Sequence, residues 1–279
     1  MKILLTGPSG FIGSYINQNL KYGEHLIVAP GSRNLNLTQQ EDLKKFFEKQ
    51  KTKFDLVIHT AIGGGSGDVY NPYNLNENIA MFYNLMKNKH HFKYLINLAS
   101  GAEFDQSTDI NAKTNNLFDS FPYTIYGMSK NIISRVVHSQ PQCYNLRLYG
   151  CFGIGELDTR FIQKNIQNYI DSKPIEIYQD KYFDYFNLKD VLKVIKYYIN
   201  CFEKNLPLEK DIDLVYLNKL KLSDIANIIN NLDDKKSEVK INDPKLGLSY
   251  TGTSGVPYDI KFDGLEKGIR QMYNALKKA

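Results

Sequence analysis

The segment Thr6–Gly13, with the sequence Thr-Gly-Pro-Ser-Gly-Phe-Ile-Gly, limits the possible folds of this 279-residue chain more than any other. It follows the short apolar run Ile3–Leu5, which is typical of a buried parallel strand. Gly7 permits a tight turn, Gly10 lets backbone N–H groups approach a ligand, and Gly13 allows a helix to pack closely on the strand. The helix N-terminus that follows suits a pyrophosphate. A turn that serves only chain reversal is the structural alternative.

The composition is that of an ordinary globular protein. Hydrophobic residues make up 42% and charged residues 23% of the chain, and no apolar run approaches the roughly 20 residues that a membrane-spanning helix needs. Ile3–Leu5 is too short for the apolar part of a secretion signal, and Cys143, Cys151 and Cys201 lack metal-ligand spacing. We therefore expect reduced thiols, a cytoplasmic location and no bound metal. The diffuse net charge of +5 favours an anionic small molecule and does not indicate nucleic acid.

The loop after the second predicted strand, His25–Ala29, bears on the choice of dinucleotide. An acidic residue in this loop would bind the ribose 2′-hydroxyl of NAD, whereas an arginine accommodates the 2′-phosphate of NADP. The chain has Arg33 there and no Asp or Glu between His25 and Glu41. These residues favour NADP(H), with NAD(H) as the alternative cofactor and a solvated loop arginine as the structural alternative.

Strands and helices alternate along the next hundred residues, as in a parallel α/β sheet. Thr38 and Glu41 form a capping-box pattern that predicts a helix start, and Asn78 is expected to begin a helix through Met86. The glycine-rich run 63–67 predicts a loop that closes on substrate, with a plain linker as the alternative. The other predicted elements are strands at 54–59, 94–100, 146–150 and 175–178 and a helix at 161–170.

Three residues form a candidate catalytic set. Ser100 ends the fourth predicted strand, at the sheet edge where ligands bind in such folds. Tyr126 and Lys130 are four residues apart on a predicted helix and therefore share a face. A phenol titrates at about pH 10, and a neighbouring ammonium favours the phenolate, so Tyr126 would act as a general acid or base on a substrate oxygen. Lys130 would lower that pKa and hold the ribose hydroxyls, while Ser100 would hydrogen-bond the substrate oxygen.

These motifs together resemble those of the extended short-chain dehydrogenases/reductases, a family of nucleotide-sugar epimerases, dehydratases and reductases. Thr6–Gly13 is similar to the family's TGxxGFIG signature, and 146–150 is similar to its LRxxxxxG segment. The stretch 185–191 resembles RDFxxVxD, and 264–273 resembles the family's terminal helix. The loop Ser32–Leu37 looks like that of nucleotide-sugar reductases such as GDP-fucose synthase.

The resemblance implies a Rossmann-type doubly wound parallel sheet with a smaller C-terminal α/β substrate domain. The dinucleotide-binding domain would span residues 1–150, and the substrate-binding region would span 151–279, with some segments returning to the first domain. Phe183 departs from the pattern, because the family commonly has an arginine there near the nucleotide diphosphate. Arg160 would replace it as the diphosphate partner, with a solvated helix-start arginine as the alternative.

The residue pattern and the resemblance together assign the candidate site. The expected cofactor-binding residues are Gly7, Ser9, Gly10, Phe11, Ile12, Gly13, Arg33, Thr60, Ala61, Asn78, Tyr126, Lys130 and Leu148. The expected substrate-binding residues are Ser100, Gly101, Ala102 and Arg160. Asn78 has a helix-start asparagine as its structural alternative.

The residues after Ser100, Gly101–Glu103, are expected to face the reacting sugar carbon. The resemblance implies that dehydratases would have Thr-Asp-Glu starting at the position of Ser100. It also implies that members which epimerise before reducing would have a cysteine at Ala102 and a histidine near Arg160. Neither set is present, so acid–base elimination and C3/C5 epimerisation are not expected.

Hydride transfer is the chemistry that remains. The sequence predicts an NADPH-dependent reductase of a nucleotide-linked keto sugar, acting at C4 with Tyr126 as the proton donor. The alternatives are an NAD-dependent nucleotide-sugar C4 epimerase and a non-catalytic cofactor-sensing or scaffold protein. Because family members often dimerise through the helix that bears the tyrosine, we also expect a homodimer.

Overall fold

The structure is a computed structural model. It describes residues 1–20, 25–63, 71–111, 116–253, 255–257 and 259–278, with only the backbone of Pro72. The predicted glycine-rich loop therefore lies outside the described residues from position 64 onward. The chain divides into two compact units. The first comprises Met1–Asp105, Asn116–Arg147 and Glu203–Ile212, and the second comprises Gln106–Asn115, Leu148–Phe202 and Asp213–Ala279.

Strands and helices alternate through most of the chain. The strands are β1 (Lys2–Thr6), β2 (Leu26–Val28), β3 (Phe54–His59), β4 (Phe92–Ser100), β5 (Cys143–Leu148), β6 (Gly150–Phe152), β7 (Ile175–Gln179), β8 (Tyr185–Asn187), β9 (Asp211–Leu214) and β10 (Val239–Asp243). The helices are α1 (Phe11–Leu20), α2 (Gln40–Glu48), α3 (Pro72–Lys87), α4 (Ile125–Ser139), α5 (Phe161–Ile170), α6 (Leu188–Lys204), α7 (Leu222–Asn230) and α8 (Gly264–Leu276).

The central sheet is parallel and has the strand order β2-β1-β3-β4-β5-β9. Leu4 of β1 lies opposite Val28 on one side and Val57 on the other. The chain thus moves outward from β1 to β2 and then crosses back to β3, which makes the boundary between β1 and β3 the topological switch point. Ligands of open parallel sheets bind beyond the carboxyl ends of the strands at this point. The predicted α/β fold with a parallel sheet is confirmed.

Two helix starts differ from the sequence prediction. Helix α2 begins after Gln39, which makes no side-chain cap, and the hydroxyl of Thr38 donates to Asn36 Oδ1 at 2.8 Å. The predicted capping box is therefore wrong. Helix α3 begins at Pro72, and Asn71 Oδ1 accepts a hydrogen bond from the backbone of the second helical residue at 3.1 Å. Because proline favours the first position of a helix, α3 starts six residues before Asn78.

Apolar side chains from strands and helices form a core within each unit. In the first unit, residues such as Leu4, Phe47, Phe82, Leu95 and Val137 are almost completely buried. They come from β1, α2, α3, β4 and α4. The strands alternate with helices that bury one apolar stripe each, so the core holds the carboxyl ends of the strands in fixed positions.

The second unit contains two small sheets, in which β6 pairs with β8 and β7 pairs with β10. The buried carboxylate of Asp190 organises its last helix. Its two oxygens accept hydrogen bonds from the backbone of Asp263 and Gly264, each at 2.9 Å, and from the hydroxyl of Tyr216 at 2.7 Å. Lys193 Nζ lies 2.9 Å from the same carboxylate and balances its charge. Asp190 thus satisfies N–H groups at the start of α8.

The three cysteines are buried free thiols. Among the described residues, no group of three or more histidine, cysteine, aspartate and glutamate side chains is placed to hold a metal ion. None of the helices that the structure describes has the length and apolar character needed to cross a membrane. The cytoplasmic location stays a prediction.

Candidate functional site

The glycine-rich turn lies at the switch point, directly after β1. Gly7 has a φ of +67°, a conformation that residues with a side chain rarely adopt. A Cβ atom at Gly13 would lie 2.0 Å from Gly7 O and 2.7 Å from Thr60 Oγ1. The start of α1 therefore passes so close to the end of β1 that only glycine fits at position 13.

The residues that directly follow β3 pack against the other side of this turn. Thr60 Oγ1 donates a hydrogen bond to Thr6 O at 2.6 Å, and a Cβ at Gly7 would lie 2.7 Å from Ala61 N. The structure thus brings the predicted residues Gly7, Gly13, Thr60 and Ala61 together.

This cradle fits the pyrophosphate of a dinucleotide. Gly10 N donates to Gly7 O at 3.2 Å, and Ser14 N donates to Gly10 O at 2.8 Å. Between these two bonds, the N–H groups of Phe11–Gly13 are in the first turn of α1, where a helix offers no acceptor. They would hold an anion at the positive end of the helix. The predicted residue Ser9 is exposed at the mouth of the turn.

The predicted 2′-phosphate contact, Arg33, is exposed in the turn after β2. Gly31 O closes this turn by accepting hydrogen bonds from Asn34 N at 2.9 Å and Leu35 N at 3.1 Å. Since β2 is parallel to β1, both strands end at the same sheet edge. Arg33 therefore follows a strand whose carboxyl end is next to the glycine cradle.

The candidate catalytic residues lie on two elements of the first unit. Ser100 is the last residue of β4, and Tyr126 and Lys130 are one turn apart on α4. Lys130 Nζ lies 5.9 Å from the centroid of the Tyr126 ring and donates a hydrogen bond to Leu98 O at 2.7 Å. The tyrosine and lysine thus share a helix face, as their spacing predicts, and the lysine is anchored to the strand that ends at Ser100.

Helix α4 packs directly against the turn after Ser100. This turn, Gly101–Glu103, is a short 3₁₀ helix, and Ser100 Oγ accepts a hydrogen bond from Ala102 N at 3.2 Å. A Cβ at Gly127 would lie 2.3 Å from Ala102 O. The residue after Tyr126 must therefore be small, because the helix backbone touches the buried turn there. Sequence reasoning did not identify this requirement.

The buried surroundings of Lys130 change its ionisation. Burial lowers the pKa of Lys130 to about 8, and the negative charge of Glu103 opposes that shift. The ammonium form therefore predominates at neutral pH, beside the ring of Tyr126. On the neighbouring strand β3, burial and the charge of Lys130 lower the pKa of His59 to about 3. His59 is thus neutral, and one of its ring nitrogens lies 2.9 Å from Thr6 Oγ1.

Asn78 links three segments of the first unit. Its Oδ1 accepts a hydrogen bond from Gly63 N at 2.7 Å, and its Nδ2 donates to Ser129 Oγ at 3.4 Å. The side chain is buried and joins α3 to the exit of β3 and to α4. The structure thus places this predicted cofactor residue beside the helix that carries Tyr126, with both ends of its amide bound to protein groups.

A buried ion pair lies in the turn that follows the candidate residue Ser100, and the sequence did not lead us to expect it. Glu103 is fully buried, and its Oε1 lies 2.5 Å from Arg147 Nε. The expectation that Glu103 faces the sugar is therefore wrong, because Arg147 draws the carboxylate into the core. A signal was available in the sequence. Arg147 lies between Leu146 and Leu148 in an apolar strand, and a charge buried there needs a partner.

The remaining predicted residues belong to the second unit. Leu148 is the buried last residue of β5, and Arg160 directly precedes α5. Arg160 Nε lies 3.5 Å from Glu156 Oε1, and burial raises the pKa of that carboxyl group to about 8, against the opposing charge of Arg160. Phe183 stacks on Tyr185, with 4.7 Å between ring centroids. An aromatic cluster thus occupies the position where an arginine was expected from the resemblance.

The second unit also contains a cavity of about 550 Å³. Its walls are mainly apolar and aromatic and include Phe183, Tyr216 and Phe262, with the carboxylate of Asp184 among them. None of the site residues predicted from the sequence lines this cavity.

Comparison with solved structures shows full-length similarity of the fold. A GDP-mannoheptose C4 reductase from Campylobacter jejuni, solved with NADP bound, matches with a TM-score of 0.78 and 17% identity, over 99% of this chain and 98% of that one. A UDP-glucose 4-epimerase from Thermotoga maritima matches with a TM-score of 0.75 and 15% identity, over 100% of this chain and 99% of that one. At these identities the likeness is one of fold.

Sequence comparison gives shorter matches. A GDP-L-colitose synthase from Yersinia pseudotuberculosis is 31% identical over 114 residues, which are 39% of this chain and 36% of that protein. The Staphylococcus aureus protein CapI is 25% identical over 178 residues, 54% of this chain and 52% of its own length. The chain thus matches about a third to a half of the length of these relatives. The sequence model of one family matches residues 3–209, three quarters of the chain and the whole region from the glycine cradle past Lys130. The chain belongs to the NAD dependent epimerase/dehydratase family.

Proposed function

We propose that this protein is an NADPH-dependent reductase of a nucleotide-linked keto sugar, with the keto group at C4. One observation carries the proposal. The phenol of Tyr126 and the ammonium of Lys130 share a face of α4, and Lys130 is bound to the strand that ends at Ser100. The glycine cradle belongs to the same compact unit. The choice of reaction is supported by solved structures of similar fold: a GDP-mannoheptose C4 reductase with NADP bound, a GDP-heptose synthase solved with NADPH, and a 4-keto-heptose reductase.

The three side chains have complementary parts in this reaction. Bound NADPH would supply the hydride that reduces the carbonyl carbon. Tyr126 donates the proton that the carbonyl oxygen needs, and the adjacent Lys130 ammonium stabilises the phenolate left behind. Ser100 Oγ already accepts a hydrogen bond from Ala102 N, so its own O–H group is available to the carbonyl oxygen. Hydride and proton together convert the ketone to an alcohol.

The turn after Ser100 supports simple reduction over elimination. Gly101 and Ala102 carry no group that titrates, and Glu103 is held in its ion pair with Arg147. A dehydratase would need an acid and a base beside the sugar carbons. This turn provides neither to a ligand beyond the end of β4.

Arg33 is expected to give NADPH its preference over NADH. The variant Arg33→Ala should bind NADPH about 10- to 100-fold more weakly, because a charge-assisted hydrogen bond to a phosphate contributes about 1.5–3 kcal/mol. Its affinity for NADH, which lacks the 2′-phosphate, should not change. Fluorescence titration of both dinucleotides measures the two affinities. Lys44→Ala, which removes an exposed cation on α2, is the matched control. Equal loss of affinity for both dinucleotides would contradict this role of Arg33.

A C4 epimerase is the second candidate, and the similar fold of UDP-glucose 4-epimerases favours it. Such an enzyme oxidises and re-reduces one carbon and needs no external reductant. The nucleotide content of the purified protein distinguishes the two reactions. Protein without bound dinucleotide that consumes NADPH with a keto sugar supports the reductase. Tightly retained NAD and no net NADPH consumption would show that the protein is an epimerase and not a reductase.

The protein is also proposed to be a homodimer. Helices α3 and α4 pack on one another in the first unit, and each exposes a large apolar side chain, Tyr83 and Ile132. A second copy would cover both. We expect wild-type protein to sediment as a dimer and Ile132→Lys as a monomer, because the lysine would place a charge in the interface. Ile154→Lys, an exposed position in the second unit, is the control and should leave the dimer intact. A wild-type monomer would contradict the proposal.

A further inference from the structure

Glu103 is satisfied on every oxygen by groups of neighbouring elements. Its carboxylate lies 2.5 Å from Arg147 Nε of β5 and accepts a hydrogen bond from Ser134 Oγ of α4 at 2.7 Å. Its backbone carbonyl accepts a hydrogen bond from Asn131 Nδ2, also of α4, at 2.9 Å. All of these groups are buried. A carboxylate without these partners would be costly in such a place, so the arrangement fixes the position of Glu103.

These contacts connect the turn after Ser100 to α4, the helix that carries Tyr126 and Lys130. Glu103 comes three residues after Ser100, in the 3₁₀ turn. On α4, Asn131 directly follows Lys130, and Ser134 lies one turn beyond Lys130. Glu103 therefore bonds to α4 at two positions within about one turn after the lysine.

We propose that Glu103 is a positioning residue of the reduction. It holds the turn of α4 that bears Lys130 against the turn after Ser100 and supplies the negative charge that retains the Lys130 ammonium. This inference rests on the proposed function. It adds a residue that touches neither the sugar carbon nor the dinucleotide but sets the ionisation of a group that does.

The charges around Lys130 agree with this role. Burial lowers the pKa of Lys130 to about 8, and Glu103 is the group that raises it. His59, on β3, is neutral. Arg147 is paired with Glu103, and Asp211 of β9 lies 3.9 Å from Arg147 Nη2 and also contacts His138. Removal of the carboxylate charge would therefore lower the pKa of Lys130 further, and a smaller fraction of the lysine would be protonated at neutral pH.

The ionisation of Lys130 can be measured without a substrate. Protein carrying ¹³C at the lysine ε position is titrated by NMR, and loss of one signal in Lys130→Arg assigns the resonance. We expect Glu103→Gln to lower the pKa of Lys130 by at least about one unit, a tenfold weaker hold on the proton. Ser134→Ala is the matched control, since it removes one hydrogen bond to Glu103 and keeps the charge. It should leave the pKa of Lys130 close to that of the wild type. An unchanged pKa in Glu103→Gln would overturn the inference.

Activity provides the second readout. The high-pH limb of kcat for keto-sugar reduction should move to lower pH in Glu103→Gln, since Lys130 loses its proton earlier. A shifted NMR pKa with an unshifted activity profile would overturn the positioning role. A wild-type protein that reduces no keto sugar would instead refute the proposed function, and the NMR result would still support or reject the effect of Glu103 on Lys130.

Glu103→Gln leaves the Arg147 guanidinium without its buried partner, and this imbalance is a known cause of unfolding. The double variant Glu103→Gln with Arg147→Gln removes both charges and keeps the side-chain sizes similar. The pKa of Lys130 in this variant is also expected below that of the wild type. An unchanged value there would overturn the inference as well.

Discussion

Replacement of Tyr126 by phenylalanine is expected to lower kcat for keto-sugar reduction by about 10²- to 10⁴-fold, the usual contribution of a positioned proton donor. The ring of Tyr126 lies beside Lys130 and stays in place in the variant, because phenylalanine fills the same volume. The affinity for NADPH should therefore remain nearly unchanged. Steady-state rates and an NADPH titration on the same preparations measure both quantities.

Tyr123→Phe is the matched control for this experiment. Tyr123 lies just before α4 and is half exposed, so its hydroxyl is close in sequence to the site but belongs to a solvent-facing ring. This variant should keep the wild-type kcat. A Tyr126→Phe enzyme that turns over as fast as the wild type would show that Tyr126 is not the proton donor. A large loss in both variants would point to damage of the segment as a whole.

The features of local structure around the candidate site that the sequence predicted correctly are those with a local cause. The turn Thr6–Gly13 follows a strand and opens a helix, and the structure shows both. Tyr126 and Lys130 share a face because the helix repeat places residues four apart on one side. Each of these relations involves residues that are close in the chain, so spacing alone is sufficient to predict it.

The parts that the sequence did not reveal depend on residues that meet only in the folded chain. Glu103 and Arg147 are 44 positions apart, and they meet because β5 lies beside β4, whose end leads into the turn that carries Glu103. The requirement for a small residue at position 127 arises from the close approach of the helix backbone to Ala102. Helix α3 shows the converse case, since Asn71 followed by proline was a local start signal that the analysis overlooked.

Gly13→Ala is expected to destabilise the fold and to abolish tight NADPH binding. The new Cβ would lie 2.0 Å from Gly7 O and 2.9 Å from Gly7 C, and both atoms are backbone. Helix α1 must therefore move away from β1, which costs about 1–3 kcal/mol or more. In an exposed helix the same substitution would instead stabilise by about 1 kcal/mol. A loss of stability in Gly13→Ala would therefore indicate the close contact between α1 and Gly7.

Gly10→Ala is expected to weaken ligand binding at this turn without destabilising the fold. A Cβ at Gly10 would lie 3.6 Å from Gly7 O, which is an ordinary contact, so the free energy of unfolding should stay near the wild-type value. The methyl group would nevertheless stand where backbone must approach a pyrophosphate, and NADPH binding should weaken at least about 10-fold, a loss of about 1.4 kcal/mol. Urea unfolding and NADPH titration of both variants give the four values. If Gly13→Ala is as stable as the wild type, helix α1 does not press on β1. If Gly10→Ala binds NADPH normally, the pyrophosphate does not lie on this turn, and the cradle serves chain reversal alone.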